Sequence, residues 1–366
     1  WYTTNDPATR FADLITQRAP GDLDHVFFTT GGSTAIETAL RFVFFYNNVM
    51  GRPGRKLIVS RDGAYHGSTH LSAALNGRGH PAGAMDDTDP RVRHLPSPDP
   101  RNRRHGETEA DFVRRLVGAF EDLIAEEGAE TIAAFVGEPV MASGGVIVPP
   151  NGYFKAMSEA CNRHGILFLA DEVVTAFGRL GAVFASQEIF GVTPDLLTFA
   201  KGVTSGYFPL GGVLISARLI ADLREAGAND AMFAHGLTYS SHPIGCAVAI
   251  RNLELLEAGV LDHVGAMIPH FQSRLAELRE LPGVSDVRGL GLMACVEMKD
   301  GASPGDAAPI ATEIDRHCQT LGLLVRPIGN LCVMSPPLII SAQQIDDLAS
   351  ILRTGISRAT AGASFD

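Results

Sequence analysis

Short apolar runs and amphipathic stretches alternate along the first two thirds of the chain, and the alternation predicts an α/β unit with a mostly parallel sheet. Apolar runs predict strands at His25–Thr29, Lys56–Ser60, Ile132–Gly137, Ile166–Ala170, Leu196–Ala200 and Gly211–Ser216. Between them, residues spaced three and four apart predict helices at Ser33–Tyr46, Phe112–Glu127 and Gly152–His164. Residues 77–110 show neither period. They are rich in Pro, Arg, Asp and Gly, and are expected to form a long irregular excursion. From Pro243 the pattern changes to a long helical region running towards Leu281, interrupted near Gly259. A mixed tail follows, with strands at Gly291–Met298 and Leu331–Met334 and helices at Ala311–Leu321 and Ala342–Gly355. The expected organisation is a large domain over residues 1–252 and a smaller α+β domain over residues 253–366.

Composition narrows the function classes. With 366 residues, 45% hydrophobic and 19% charged, the chain is ordinary for a globular protein. A net charge of −11 disfavours nucleic acid and anionic lipid as partners. No apolar run reaches the roughly 18 residues a membrane helix needs. The five cysteines include no Cys-x-x-Cys pair, so neither a disulfide framework nor a metal site is expected, and reduced thiols suit the cytoplasm.

Three polar residues stand at the carboxyl ends of predicted strands: Glu138, Asp171 and Lys201. Open α/β sheets bind their ligands along that edge. A lysine there also occurs as a plain solvated strand end. The combination says more, because a cofactor that reacts through an amine needs an acid to keep its ring nitrogen protonated and a pocket for its phosphate. Asp171 precedes Lys201 by thirty residues, one strand–helix–strand unit, which suits neighbouring strand ends. The segment Thr29-Thr30-Gly31-Gly32-Ser33-Thr34 lies between a strand and a helix, where backbone N–H groups bind anions. The plainer reading is an N-cap at Ser33 or Thr34 completed by Glu37. Tyr65, in Tyr65-His66-Gly67, could stack on a flat heterocycle, and Thr238 offers a hydroxyl; each also reads as an ordinary loop residue.

The ordered set of pieces resembles a class III aminotransferase of pyridoxal-phosphate (PLP) fold type I. The pieces are Gly31-Gly32-Ser33-Thr34-Ala35-Ile36-Glu37, Tyr65-His66-Gly67, Glu138-Pro139-Val140 with Gly144-Gly145, and Leu169-Ala170-Asp171-Glu172-Val173. After these come Lys201-Gly202, His235-Gly236-Leu237-Thr238-Tyr239 with His242-Pro243, and Ser335-Pro336-Pro337-Leu338. The resemblance implies PLP as cofactor, held covalently by Lys201, which then carries protons, with Asp171 paired to the ring nitrogen. It implies a binding set of Gly32 and Ser33 at the phosphate, Tyr65 and Val173 on the two ring faces, and His66 and Glu138 nearby. Thr238 would reach the phosphate of a neighbouring subunit in a homodimer; pairing of dimers into tetramers is left open. Within the class the chain is most similar to the amine:pyruvate aminotransferases, where Arg326, in a loop, would bind the keto-acid carboxylate. The implied partners are an amine donor and a keto-acid acceptor. An aminomutase, racemase or decarboxylase on the same scaffold is the near alternative, and a non-catalytic binding module the remote one. Members of the family carry a further segment ahead of the position of Trp1, so part of the amine pocket is expected to come from there.

Overall fold

The computed structural model describes residues 4–77, 85–227, 231–299 and 309–361. Trp1 and the segment around Pro81 lie outside these. Contacts divide the chain into two units. The first holds residues 1–141, 149–177 and 182–256; the second holds 142–148, 178–181 and 257–366.

The first unit opens with α1 (Asp6–Thr16), capped by the Asn5 side chain, which accepts from the Ala8 N–H. Then come β1 (His25–Thr29), α2 (Gly32–Val49), β2 (Leu57–Arg61), α3 (His70–Ala74) and β3 (Val92–Leu95). The chain continues through α4 (Glu109–Glu127), β4 (Ile132–Gly137), α5 (Tyr153–His164), β5 (Leu167–Asp171), α6 (Ala185–Glu188) and β6 (Leu196–Phe199). It closes with β7 (Gly211–Ile215), α7 (Ala217–Glu225) and α8 (Pro243–Leu255).

Seven strands form one sheet in the order β1-β7-β6-β5-β4-β2-β3. β3, β2, β4, β5 and β6 are parallel, while β7 runs antiparallel to both of its neighbours. β1 therefore points the same way as β6, and six strands present their carboxyl ends on one edge. Alternate residues bury opposite faces, the two-residue period of a strand covered on both sides. Ala134, Val136, Leu167 and Leu169 pack with Ile36, Leu40 and Val43 of α2. Phe135 and Phe168 turn the other way, stacked at 5.5 Å, and meet Phe120 of α4 and Phe154 of α5.

The excursion expected over 77–110 is not irregular throughout. β3 adds a strand to the edge of the sheet, and a single helical turn follows at Pro100–Asn102. The four residues of β3 are too few to show a period against their Pro- and Asp-rich flanks.

The second unit contains α9 (Leu261–Ala276), β8 (Val284–Leu290), β9 (Met293–Met298), α10 (Ile310–Gln319), β10 (Arg326–Ile328), β11 (Leu331–Met334) and α11 (Ala342–Ala359). Its four strands are all antiparallel, in the order β10-β11-β9-β8. Its core packs Phe271, Leu275, Val296, Ile314, Leu352 and Ile356. Among the described residues no helix is long and apolar enough to cross a membrane.

Candidate active site

Six connections of the first unit leave the carboxyl edge of the sheet, and five of them, after β1, β2, β4, β5 and β6, carry most of the residues singled out from the sequence. β5 ends at Asp171, which pairs with Thr198 on the neighbouring parallel strand β6. Asp171 is 4% exposed, and its carboxylate is surrounded by donors. His66 Nδ1 lies 2.6 Å from Oδ2. The Val173 N–H and the Thr198 hydroxyl donate to Oδ1 at 3.1 Å and 3.2 Å.

Lys201 follows β6 directly, opening a short 3-10 turn. Its φ is +41°, the left-handed region that non-glycine residues seldom occupy. The side chain is exposed, and its Nζ makes no hydrogen bond or ion pair with a described residue. An amine that is accessible, unpaired and set on a strained turn is free to react.

α2 begins at Gly32, straight after β1, and no side chain caps it. The expected cap by Glu37 does not form. Glu37 Oε1 instead accepts from the N–H groups of Leu71 and Ser72, at 3.0 Å and 3.1 Å, and from the Thr69 hydroxyl at 2.8 Å. It caps α3, and the first N–H groups of α2 stay available to an anion. A Cβ on Gly32 would come within 2.9 Å of Val173 Cγ1, so this turn and the residue after Asp171-Glu172 are in direct contact.

The loop after β2 carries Tyr65, His66 and Gly67. Gly67 has φ +148°, and a Cβ there would lie 2.6 Å from Ser33 Oγ. The Ser68 N–H donates to Ser33 Oγ at 3.1 Å, which binds the aromatic loop to the start of α2. Tyr65 is 40% exposed, with its hydroxyl 2.9 Å from Ser68 Oγ. Glu138, just past β4, is buried and accepts the Tyr65 N–H at 3.1 Å. Burial pushes its carboxyl above the usual range; the neighbouring Asp171 adds to this, while His66 and Arg61 oppose it.

Gly32, Ser33, Tyr65, His66, Glu138, Asp171, Val173 and Lys201 thus all lie along one edge of one sheet. Thr238 sits elsewhere in this unit, exposed, in a pocket of about 410 Å³ lined also by Asn5, Phe27 and His235. Arg326 belongs to the second unit, where it is exposed and starts β10, opposite Val333, rather than sitting in a loop. Sequence reasoning missed Thr198, Asn76 and Arg61. Thr198 carries a faint signal, a lone hydroxyl inside an apolar strand.

This edge offers a helix start for a dianion, a buried carboxylate, a free amine and an accessible aromatic face, the set a phosphorylated flat heterocycle with a protonated ring nitrogen requires. A family model described as aminotransferase class-III matches residues 2–356. The mitochondrial gamma-aminobutyrate transaminase 1 of Oryza sativa subsp. indica is 40% identical over 359 residues, 96% of this chain and 69% of that protein. A solved (S)-enantioselective omega-transaminase from Thermomicrobium roseum matches with a TM-score of 0.90 at 40% identity, covering 97% of this chain and 80% of that one. The PMP-bound form of an aminotransferase from Vibrio fluvialis matches at 0.93 and 33% identity, covering 100% and 81%.

Proposed function

The chain belongs to the class III aminotransferases and is a PLP-dependent transaminase, and from that premise we propose that it moves an amino group from an amine or ω-amino acid to pyruvate, with Lys201 and Asp171 as its catalytic residues. The observation that carries the assignment of residues is the unpaired Lys201 amine one strand away from a buried Asp171. Bound PLP supplies an electrophilic carbon and a ring that takes up electrons from the substrate carbon. The Lys201 amine would hold the cofactor, and as a free amine it would be the base that moves a proton at the substrate carbon. Asp171 keeps a proton on the ring nitrogen. Ser33 and the first N–H groups of α2 would hold the phosphate, and Tyr65 and Val173 would flank the ring.

In this reading Arg326 pairs with the pyruvate carboxylate and turns aside for a donor that lacks one. The γ-aminobutyrate named for the rice relative is an ω-amino acid, the donor class proposed here. The enzyme works as a homodimer in which Thr238 reaches the partner's phosphate; the exposure of Thr238 and of Tyr239 supports this. A reducing compartment such as the cytoplasm is supported by five unpaired cysteines, all buried.

The test is a panel of amine donors with pyruvate, following alanine. Alanine formed in step with loss of donor is the expected result. Turnover of donor without alanine, but with another keto acid accepted, would replace pyruvate as the acceptor. Release of CO2, or isomerisation of the donor with no acceptor present, would point to the decarboxylase or mutase reading.

A further inference from the structure

The turn that presents Lys201 is bracketed by two residues in left-handed backbone, Lys201 at φ +41° and Ser205 at φ +49°. That region is unfavourable for an L-residue, so such a turn persists only where its surroundings hold it. A single 3-10 turn supplies little hold of its own, because it makes few backbone bonds and their geometry is poor.

The hold comes from α8. Asn252, half-buried on that helix, donates from Nδ2 to the Gly202 carbonyl at 2.8 Å and to the Val203 carbonyl at 3.2 Å. Its Oδ1 accepts from the Ser205 hydroxyl at 2.6 Å. The two carbonyls can only accept, which fixes the orientation of the amide and leaves its oxygen for Ser205. One side chain thus grips the turn between its two strained ends. The helix that carries it is firmly seated, with Cys246, Ala249 and Leu253 buried. From another side the turn rests on Phe177: a Cβ on Gly202 would lie 3.0 Å from the Phe177 Cβ. None of these contacts uses the Lys201 side chain, so the turn is fixed while its amine stays free.

We propose that Asn252 is a positioning residue for the reaction: its amide holds the left-handed turn in place and so fixes the direction in which Lys201 extends its amine. This deepens the reading of Lys201 as the residue that holds the cofactor, and rests on it. Without the amide the Gly202 and Val203 carbonyls lose that donor, and Lys201 relaxes towards an ordinary negative φ. The relaxation redirects the Cα–Cβ bond, and a four-carbon side chain carries the change out to the amine. A base displaced in this way still exists and still reacts, but meets the reacting carbon less often.

The experiment compares the full chain with N252A, N252L, S216A and K201A. Each holoenzyme is assayed for kcat, for KM of the amine donor and for its unfolding temperature. PLP is then removed from each, and the return of the visible band on adding PLP back is timed. S216A is the stability control. It loses the bond from the Ser216 hydroxyl to Asp22 at 2.6 Å, in the same unit but beside the start of β6 rather than its end. N252A and N252L are expected to slow the band's return and lower kcat about tenfold or more, with KM changed by less than about threefold. S216A is expected to unfold at a lower temperature with both rates as in the parent. Should N252A not fold, N252L is read in its place, since leucine fills the space of the amide without a donor. Two outcomes overturn the proposal alone: parental rates in the Asn252 variants, or S216A losing as much of both rates for the same fall in unfolding temperature. A full-strength band regained by K201A would instead remove the reading of Lys201, and the role of Asn252 with it.

Discussion

Lys201 occupies a left-handed backbone conformation that costs an L-residue about 1–2 kcal/mol, and nothing in its own side chain's contacts offsets this. The strain is confined to the turn that presents its amine. Lys201→Ala removes the amine and no core packing, so we expect turnover and the cofactor's visible band to vanish while circular dichroism and thermal unfolding stay close to the parent. A full-strength band in that variant would mean that another lysine holds the cofactor. Arg326→Ala tests the acceptor side. We expect the pyruvate half-reaction to lose efficiency by the equivalent of about 2–4 kcal/mol, the loss of a charge-assisted pair, with little change for a simple monoamine. Stopped-flow measurement of each half separates these, and equal losses in both would make Arg326 structural. At this scale the sequence discloses the residues that end apolar strands, Glu138, Asp171 and Lys201, because polarity changes there within one residue. It does not disclose Thr198 or Asn76. Their contacts depend on the register between β5 and β6 and on the path of a loop, neither of which is a local property.

Glu37 shows why a helix start is harder to read than a strand end. Its spacing from Ser33 and Thr34 fits a capping box at α2, yet the loop through Tyr65–Thr69 brings the start of α3 beside it, and the carboxylate serves that helix. A local rule lost to a long-range contact, and the anion-binding end of α2 was left open as a result. Glu37→Ala should loosen α3 and the loop ahead of it by about 1–2 kcal/mol, seen as a lower unfolding temperature. Because that loop is tied to Ser33, the variant should also lose cofactor faster on dialysis than the parent. Unchanged retention would separate α3 from the phosphate site. β3 and β10 were hidden for a different reason. Each is a strand of three or four residues at a sheet edge, where pairing with one neighbour defines the element and the residues alone show no period.

The large unit was the most legible level, because a sheet buried on both faces writes long apolar runs into the chain and the helices between them carry a clear period. One consequence of its strand order reaches beyond the reaction. Neighbouring strands lie about 4.8 Å apart, so the sheet acts as a ruled scale along which the lysine, the carboxylates and the aromatic loop are set at fixed intervals. Those intervals are blind to what happens at the far edge. The exposed turn of residues 51–54 joins α2 to the start of β2 there. Two glycines inserted after Pro53 should cost well under 1 kcal/mol of closure entropy. They should leave the cofactor's spectrum and kcat unchanged, whereas the same insertion after Gly63 should abolish both. The protein is in this sense tolerant on one rim and exact on the other, and a lineage could vary its outer turns freely while the spacing of its chemistry stayed constant.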